Sequence, residues 1–321
     1  MFITRRNLLW LVAGTVLSKA SGSNTSSGNN VWQRRYRASA TITLLSIPIV
    51  SRGDVGSGFI LIEKAGRATA IQFGAGSYPE KARGLNRLGF IQELIAEINP
   101  GDLAECSYFA FMTTSAEKNV DQAKRALESS GATIPYAVAE GSGRDGSFAS
   151  KLDHITLSSQ VTWRDYPQLT DQVRAAVAAA DTSQRLEMSL PAGEGAPTTF
   201  LYAVRTALTS ASARTSGSLI YNVKQFMLRT DKQPDSAMGE HFAERNLVSD
   251  PNRVMLLNAR IEECATGQVT PFKVWFEAGR ENLPPLRFEY QAKSFLRLAF
   301  EFDPAGSGPP ISLALNKKEN A

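Results

Sequence analysis

The chain has 321 residues, 43% of them hydrophobic, with 35 Lys and Arg against 31 Asp and Glu. A formal charge of +4 is too small for a phosphate-neutralising surface, so no nucleic-acid partner is expected. Two histidines and two cysteines leave little material for a metal centre or a His-based triad.

The first element in the chain is a leader. Arg5 and Arg6 stand in Thr4-Arg5-Arg6-Asn7-Leu8-Leu9, ahead of an apolar run to Leu17. Two arginines, one polar residue and two large apolar ones follow the twin-arginine export pattern; a Sec leader with a basic start is the alternative. The run is about ten residues, roughly half a bilayer crossing, and no later segment is longer, so no transmembrane segment is expected in the mature chain. Small residues at Ser18, Ala20 and Gly22 place cleavage near Ala20, giving a signal peptide over 1–20 and a periplasmic or secreted bacterial product. The leader holds Arg5, Arg6 and Lys19 and no acid, which leaves 32 bases against 31 acids in the remainder.

Polar, glycine-rich Ser21–Asn30 predicts a disordered spacer over 21–31. From Tyr36 to Leu44 apolar residues alternate with Arg37, Ser39, Thr41 and Thr43, a strand with one wet face. The cluster Arg34-Arg35-Tyr36-Arg37 reads as the solvated edge of that strand, and Pro48 marks a bulge or an edge. Gly53, Gly56 and Gly58 predict a turn into a strand over Phe59–Glu63, and Gly66 turns it into Ala68–Phe73. Thr133–Glu140 and Ser147–Leu157 read as a hairpin around Gly141–Gly146, where Asp145-Gly146 suits a turn with positive φ.

Three helices are predicted. Ala116, Val120, Ala123 and Leu127 share a face behind Ser115; Tyr166, Leu169, Val173 and Val177 form a second stripe behind Asp165; Leu201, Val204 and Leu208 fall in register over Thr198–Leu208. Near the C-terminal end, Phe272, Val274 and Phe276, then Leu286, Phe288 and Tyr290, then Leu296, Leu298, Phe300 and Phe302 predict three antiparallel strands with one apolar side. Their other faces carry Arg287, Glu289, Arg297 and Glu301. The expected whole is a single β-rich domain over 32–303 with a sub-boundary at 191–197, followed by a flexible tail over 304–321.

No catalytic constellation emerges. His154 alternates with strand residues, and His241 with Glu244 lacks the second histidine of a zinc helix, so no metal is expected. Ser57 in Val55-Gly56-Ser57-Gly58-Phe59 lacks the glycine spacing of a nucleophile elbow, and Gly56–Gly58 and Gly74–Gly76 lack the ending of a phosphate loop. Those glycines read as strand turns, and no cofactor is expected. The long polar connection Gly74–Gly89 is the one segment with binding character, through Tyr78, Lys81, Arg83 and Arg87, which could converge on an anionic group. Cys106 and Cys264 enter an oxidising compartment; two buried free thiols are expected, and a bridge, which would add about 5 kcal/mol through a long loop, is the alternative.

From Thr198 to Phe302 the chain resembles a broad family of exported bacterial β-rich proteins of unknown function. The residues concerned are Phe200–Arg205, an apolar strand over Leu219–Leu228, Phe272–Phe276 and Leu283–Phe288. The resemblance implies a curved antiparallel sheet of half-barrel type, with Trp275 and Phe288 packed and Arg287 facing solvent, and brings no catalytic residues. Together these readings predict a mainly β fold, a large curved antiparallel sheet or incomplete β-barrel with about three covering helices. Such a sheet has a concave apolar face that helices must cover or a ligand must fill. The functional expectation is a non-enzymatic envelope protein binding an apolar or lipid-like ligand, or another envelope protein. A hydrolase of envelope polymers with a carboxylate pair, and an assembly factor using an exposed sheet edge, are the alternatives.

Overall fold

A computed structural model describes residues 30–44, 47–78, 81, 88–99, 102–114, 133–157, 166–180, 185–190, 197–293 and 296–306. The leader, the helix expected over Ala116–Leu127, Asp165, 191–196 and most of the tail lie outside the described residues. Alternating apolar residues build one antiparallel sheet of fourteen strands: β1 (Asn30–Leu44), β2 (Ile47–Ala65), β3 (Ala68–Ser77), β4 (Leu88–Asn99), β5 (Asp102–Thr113), β6 (Ile134–Arg144), β7 (Ser147–Leu157), β8 (Leu186–Leu190), β9 (Arg214–Tyr221), β10 (Lys224–Pro234), β11 (Val254–Glu263), β12 (Val269–Glu277), β13 (Arg287–Lys293) and β14 (Leu296–Phe302). The order runs from β8 down to β1, then from β14 down to β9, so two meanders join where β1 pairs with β14.

Among the described residues three helices pack on this sheet: α1 (Tyr166–Ala179), α2 (Phe200–Thr209) and α3 (Ser236–Glu244). The expected stripe Tyr166, Leu169, Val173 and Val177 is the buried face of α1, set against Phe59, Phe90, Phe111 and Tyr136 on one side of β2–β7. α3 covers the same side of the other meander through Phe242, which meets Val254, Leu256, Trp275 and Leu286. Its N-cap Asp235 accepts from Met238 N at 3.1 Å and from Trp275 Nε1 at 2.9 Å, so one carboxylate starts the helix and pins it to β12.

The sheet is strongly rolled. Phe73 on β3 and Phe288 on β13 are four strand steps apart, about 19 Å on a flat sheet, yet their rings lie 5.4 Å apart. Tyr108 on β5 and Tyr221 on β9 are ten steps apart in strand order and 5.9 Å apart in space. No ladder joins the two meanders at this seam. The tip of β9–β10 instead lies over the inner face of β5–β7, with Ile220 among Ile91, Tyr108, Phe148 and Leu152. Asn222 N donates to Tyr108 Oη at 3.2 Å and Val223 N to Ser150 Oγ at 3.3 Å. Both turn residues have positive φ, 54° and 51°, which is costly for the β-branched Val223. Gly141 and Gly143 on β6 leave room for the Tyr108 and Phe148 rings; a Cβ at Gly141 would run into Tyr108.

α2 lies inside the roll and touches both meanders. Tyr202 packs with Ile91 and Ile95, while Ala207 and Leu208 pack with Leu257, Val274 and Phe276. Thr199 at its N-cap position makes no cap of its own. The cap comes from Glu93 on β4, fully buried, which accepts from Thr199 Oγ1 at 2.6 Å, Leu201 N at 2.7 Å and Tyr202 N at 2.8 Å. The positive helix end and three donors offset part of the desolvation of the carboxylate. At the other end, Lys232 Nζ donates to Ser210 O.

Several expectations need correction. Gly53, Gly56 and Gly58 do not form a turn: β2 runs unbroken through them, and β3 runs through Gly74 and Gly76. A Cβ at Gly56 would strike Gly76 O, so close strand approach is what Gly56 requires, whereas a Cβ at Gly53 would meet nothing. Leu219–Leu228 is not one strand but two, broken at Asn222-Val223, a hairpin turn without the usual glycine. Cys106 and Cys264 are both free; Cys106 is buried, but Cys264 is exposed rather than buried. Pro48 does sit beside a register shift, between Ile42 and Thr43 of the partner strand.

Burial raises the Glu93 pKa from its ordinary 4.5 to about 7 against the pull of its donors. The folded chain then keeps a proton that the unfolded chain has released between these values. This contribution to stability is present below pH 4.5 and lost as pH rises through about 7. The groups facing Glu93, Cys106, Tyr108 and Tyr221, are pushed further up by burial and stay neutral there. Urea unfolding should show stability falling over that window in the native chain and a flatter profile in Glu93→Gln; equal slopes would contradict this. Glu93→Ala, which strands three donors, should cost on the order of 3–5 kcal/mol.

Candidate functional site: an aromatic basin inside the roll

The concave face divides into two parts. Deep in the roll, beside α2, Ile71, Ile91 and Ile95 are 3%, 6% and 2% exposed, which is packed core. Along the same face beyond α2, Phe73, Tyr221, Phe272, Phe288, Tyr290 and Leu298 are each only half-buried. Phe200, in the first turn of α2, makes the floor, with its ring 6.1 Å from Phe272.

The walls are aromatic. Phe288 stacks on Phe300 at 4.7 Å, meets Tyr36 edge-on at 5.2 Å and Phe73 edge-on at 5.4 Å; Tyr290 stacks over Phe300 at 6.4 Å. These contacts follow from register: Ala38, Phe300 and Phe288 are successive cross-strand partners, as are Ala40, Leu298 and Tyr290. Gly58 allows the close approach of the Phe300 ring, 3.3 Å from where a Cβ would stand. Burial raises the phenol of Tyr290, and burial aided by the neighbouring Tyr108 and Glu93 charges raises that of Tyr221 to about 12. Both phenols are therefore neutral hydrogen-bonding groups at physiological pH.

Glu93 and Glu97 also lie on the concave side of β4, but neither lines the basin as a reactive group. Glu93 is fully buried under α2, and Glu97 accepts from Tyr202 Oη at 2.7 Å. Among the described residues no group of three His, Cys, Asp or Glu gathers as a metal site. His154 is exposed on β7, and His241 lies 3.4 Å from Glu301 with its pKa lowered by burial, Arg245 and Arg287.

Of the four loop residues expected to bind an anion, Tyr78 and Lys81 are described. Tyr78 packs against the cluster under α1, and its N–H donates to Val55 O at 2.8 Å. Lys81 pairs with Asp54 and stands 5.2 Å above the Tyr78 ring, so the two clamp the bulge of β2. Arg83 and Arg87 lie outside the described residues. Trp275 is buried and Phe288 packs as expected, but Arg287 is not a free solvent-facing cation: it pairs with Glu289 and Glu301 and lies over Trp275. A concave apolar face was expected, but not which residues line it, because alternation marks two faces of a strand without saying which becomes concave.

No protein-family model matches the chain, and no curated protein matches its sequence. Among solved structures, a β-barrel-like protein of a domain of unknown function, DUF1849, from Brucella abortus is similar at a TM-score of 0.44 and 9% identity. The match covers 85% of this chain and 96% of that one.

If the lining is an unfilled basin and not core, truncating it should be cheap. Leu298→Ala should cost less than about 1.5 kcal/mol in urea unfolding, whereas Phe59→Ala, in the cluster under α1, should cost about 3–5 kcal/mol. Equal costs would show that the basin is packed.

Proposed function

We propose that this protein is a non-enzymatic carrier or sensor of an apolar, lipid-like molecule, held against the aromatic wall of the rolled sheet. One observation carries the reading: Phe73, Tyr221, Phe272, Phe288, Tyr290 and Leu298 on the concave face are only partly buried, although they point inward. Exposed apolar surface of this kind favours an apolar occupant at about 25 cal/mol per Å² removed from water. The aromatic rings supply broad, stiff contact surface, and the phenols of Tyr221 and Tyr290 offer two neutral hydrogen-bonding points. The twin-arginine-like leader supports a site of action in the bacterial envelope, where such molecules abound. No helix among the described residues is long and apolar enough to cross a membrane.

Titration with N-phenyl-1-naphthylamine, a neutral apolar fluorophore, tests this. Saturable enhancement is expected, weakened at least about tenfold in Leu298→Glu, which places a charge on the lining. Absence of saturable binding, or an unchanged affinity in a Leu298→Glu chain that still unfolds cooperatively, would overturn the proposal.

A further inference from the structure

We infer that the occupant is an anionic amphiphile, one carboxylate or phosphate head on an apolar tail, and that Arg52 anchors the head at the rim of the basin. The inference rests on the basin reading above and adds the ligand class and its orientation.

Arg52, Ala40, Leu298, Tyr290 and Phe272 are successive cross-strand partners from β2 through β1, β14 and β13 to β12. Partners in an antiparallel ladder point to the same face, so the guanidinium and the basin lining share one side of the sheet. Thr41 Oγ1 and Ser51 Oγ, 3.2 Å apart, confirm the register beside this row. From β2 to β13 is three strand steps, about 14 Å, a span suited to an extended alkyl chain. The row thus runs from a cation at one end to aromatic rings at the other.

The charges around it make Arg52 distinctive. It is exposed and makes no ion pair among the described residues. Asp54, two residues on, is turned into the bulge at φ 55° and is taken by Lys81. Across the roll, Lys224 is neutralised by Glu263 at 3.1 Å. The bulge that separates Arg52 from Gly56 lets three residues, Gly53, Asp54 and Val55, oppose Ser39 alone, and so sets the direction of Arg52 relative to the rest of β2.

The strand segment carrying Arg52 extends past β3, whose pairing with β2 begins only at Gly56. Next to Arg52 on the same face are Ile42 and its partner Val50, 45% and 53% exposed, with Ile49 beside them at 58%. An exposed apolar lip with one unpaired guanidinium matches a molecule whose head stays at the water boundary while its tail enters the roll. The planar guanidinium fits carboxylate and phosphate oxygens in two-point contact, which a neutral head cannot return.

Competition against N-phenyl-1-naphthylamine on the full chain tests the inference, using dodecanoate and dodecanol, which share a tail. Dodecanoate should displace the fluorophore at a concentration about tenfold lower than dodecanol. Arg52→Gln should abolish that preference while binding the fluorophore as before, Arg52→Lys should keep part of it, and added salt should narrow it. Vesicles of phosphatidylglycerol against phosphatidylcholine separate the two sources of such a ligand. Displacement by the anionic vesicles alone assigns a membrane lipid, and displacement only by dodecanoate assigns a free amphiphile. Fluorophore binding without a dodecanoate preference, or a preference that survives Arg52→Gln, would overturn the anchor and leave the basin standing. Failure to bind fluorophore, dodecanoate and dodecanol alike would overturn both.

Discussion

The architecture depends on a carboxylate placed where carboxylates are seldom stable. Glu93 is fully buried on the inner face of β4, and its acceptors are used by Thr199, Leu201 and Tyr202. A helix N-terminus is one of the few partners that can meet a buried carboxylate with donors and a favourable dipole. In turn, α2 has no cap of its own and needs an acceptor from elsewhere. The two requirements satisfy each other across 106 residues of chain. The result is a helix held at a fixed depth inside the roll, which fills one part of the concave face.

The same region explains how an open sheet stays rolled. The edges β8 and β9 do not hydrogen-bond to one another, so no continuous ladder enforces closure. Overlap does so instead: Ile220 packs across the seam, Tyr108 and Ser150 tie the hairpin turn, and Thr198 bridges to Leu219 ahead of α2. The edge of β9 is partly covered in this way, which protects it from pairing with other chains. A seam made of side-chain contacts and a few hydrogen bonds opens more readily than a strand ladder does.

Much of the fold was legible in the chain because alternation and stripe patterns are local. The residues of α1, the Asp145-Gly146 hairpin and the C-terminal strands follow directly from period and turn chemistry. What escaped was long-range. Glycines at 53, 56 and 58 read as a turn because their need, close approach of Gly76 to Gly56 and room for Phe300 at Gly58, comes from strands elsewhere in sequence. The break at Asn222-Val223 is tolerated because Tyr108 and Ser150 receive its amides, and neither is near it in the chain. The partners of the loop residues were hidden for a related reason. Tyr78 and Lys81 look like a binding loop until their partners, the cluster under α1 and Asp54, are known. Nothing local in the sequence singles out Arg52; register sets it beside Ala40 and Leu298.

The central claim is that part of the concave face is apolar, lined and unfilled. A crystal of the protein pressurised with xenon would test it without assuming a ligand, since xenon collects in apolar spaces and not in packed core or polar clefts. The account predicts ordered xenon in contact with Phe73, Phe288 and Tyr290, and none between α2 and Ile91 or Ile95. Side chains closed over that wall, with xenon absent from it, would contradict the account.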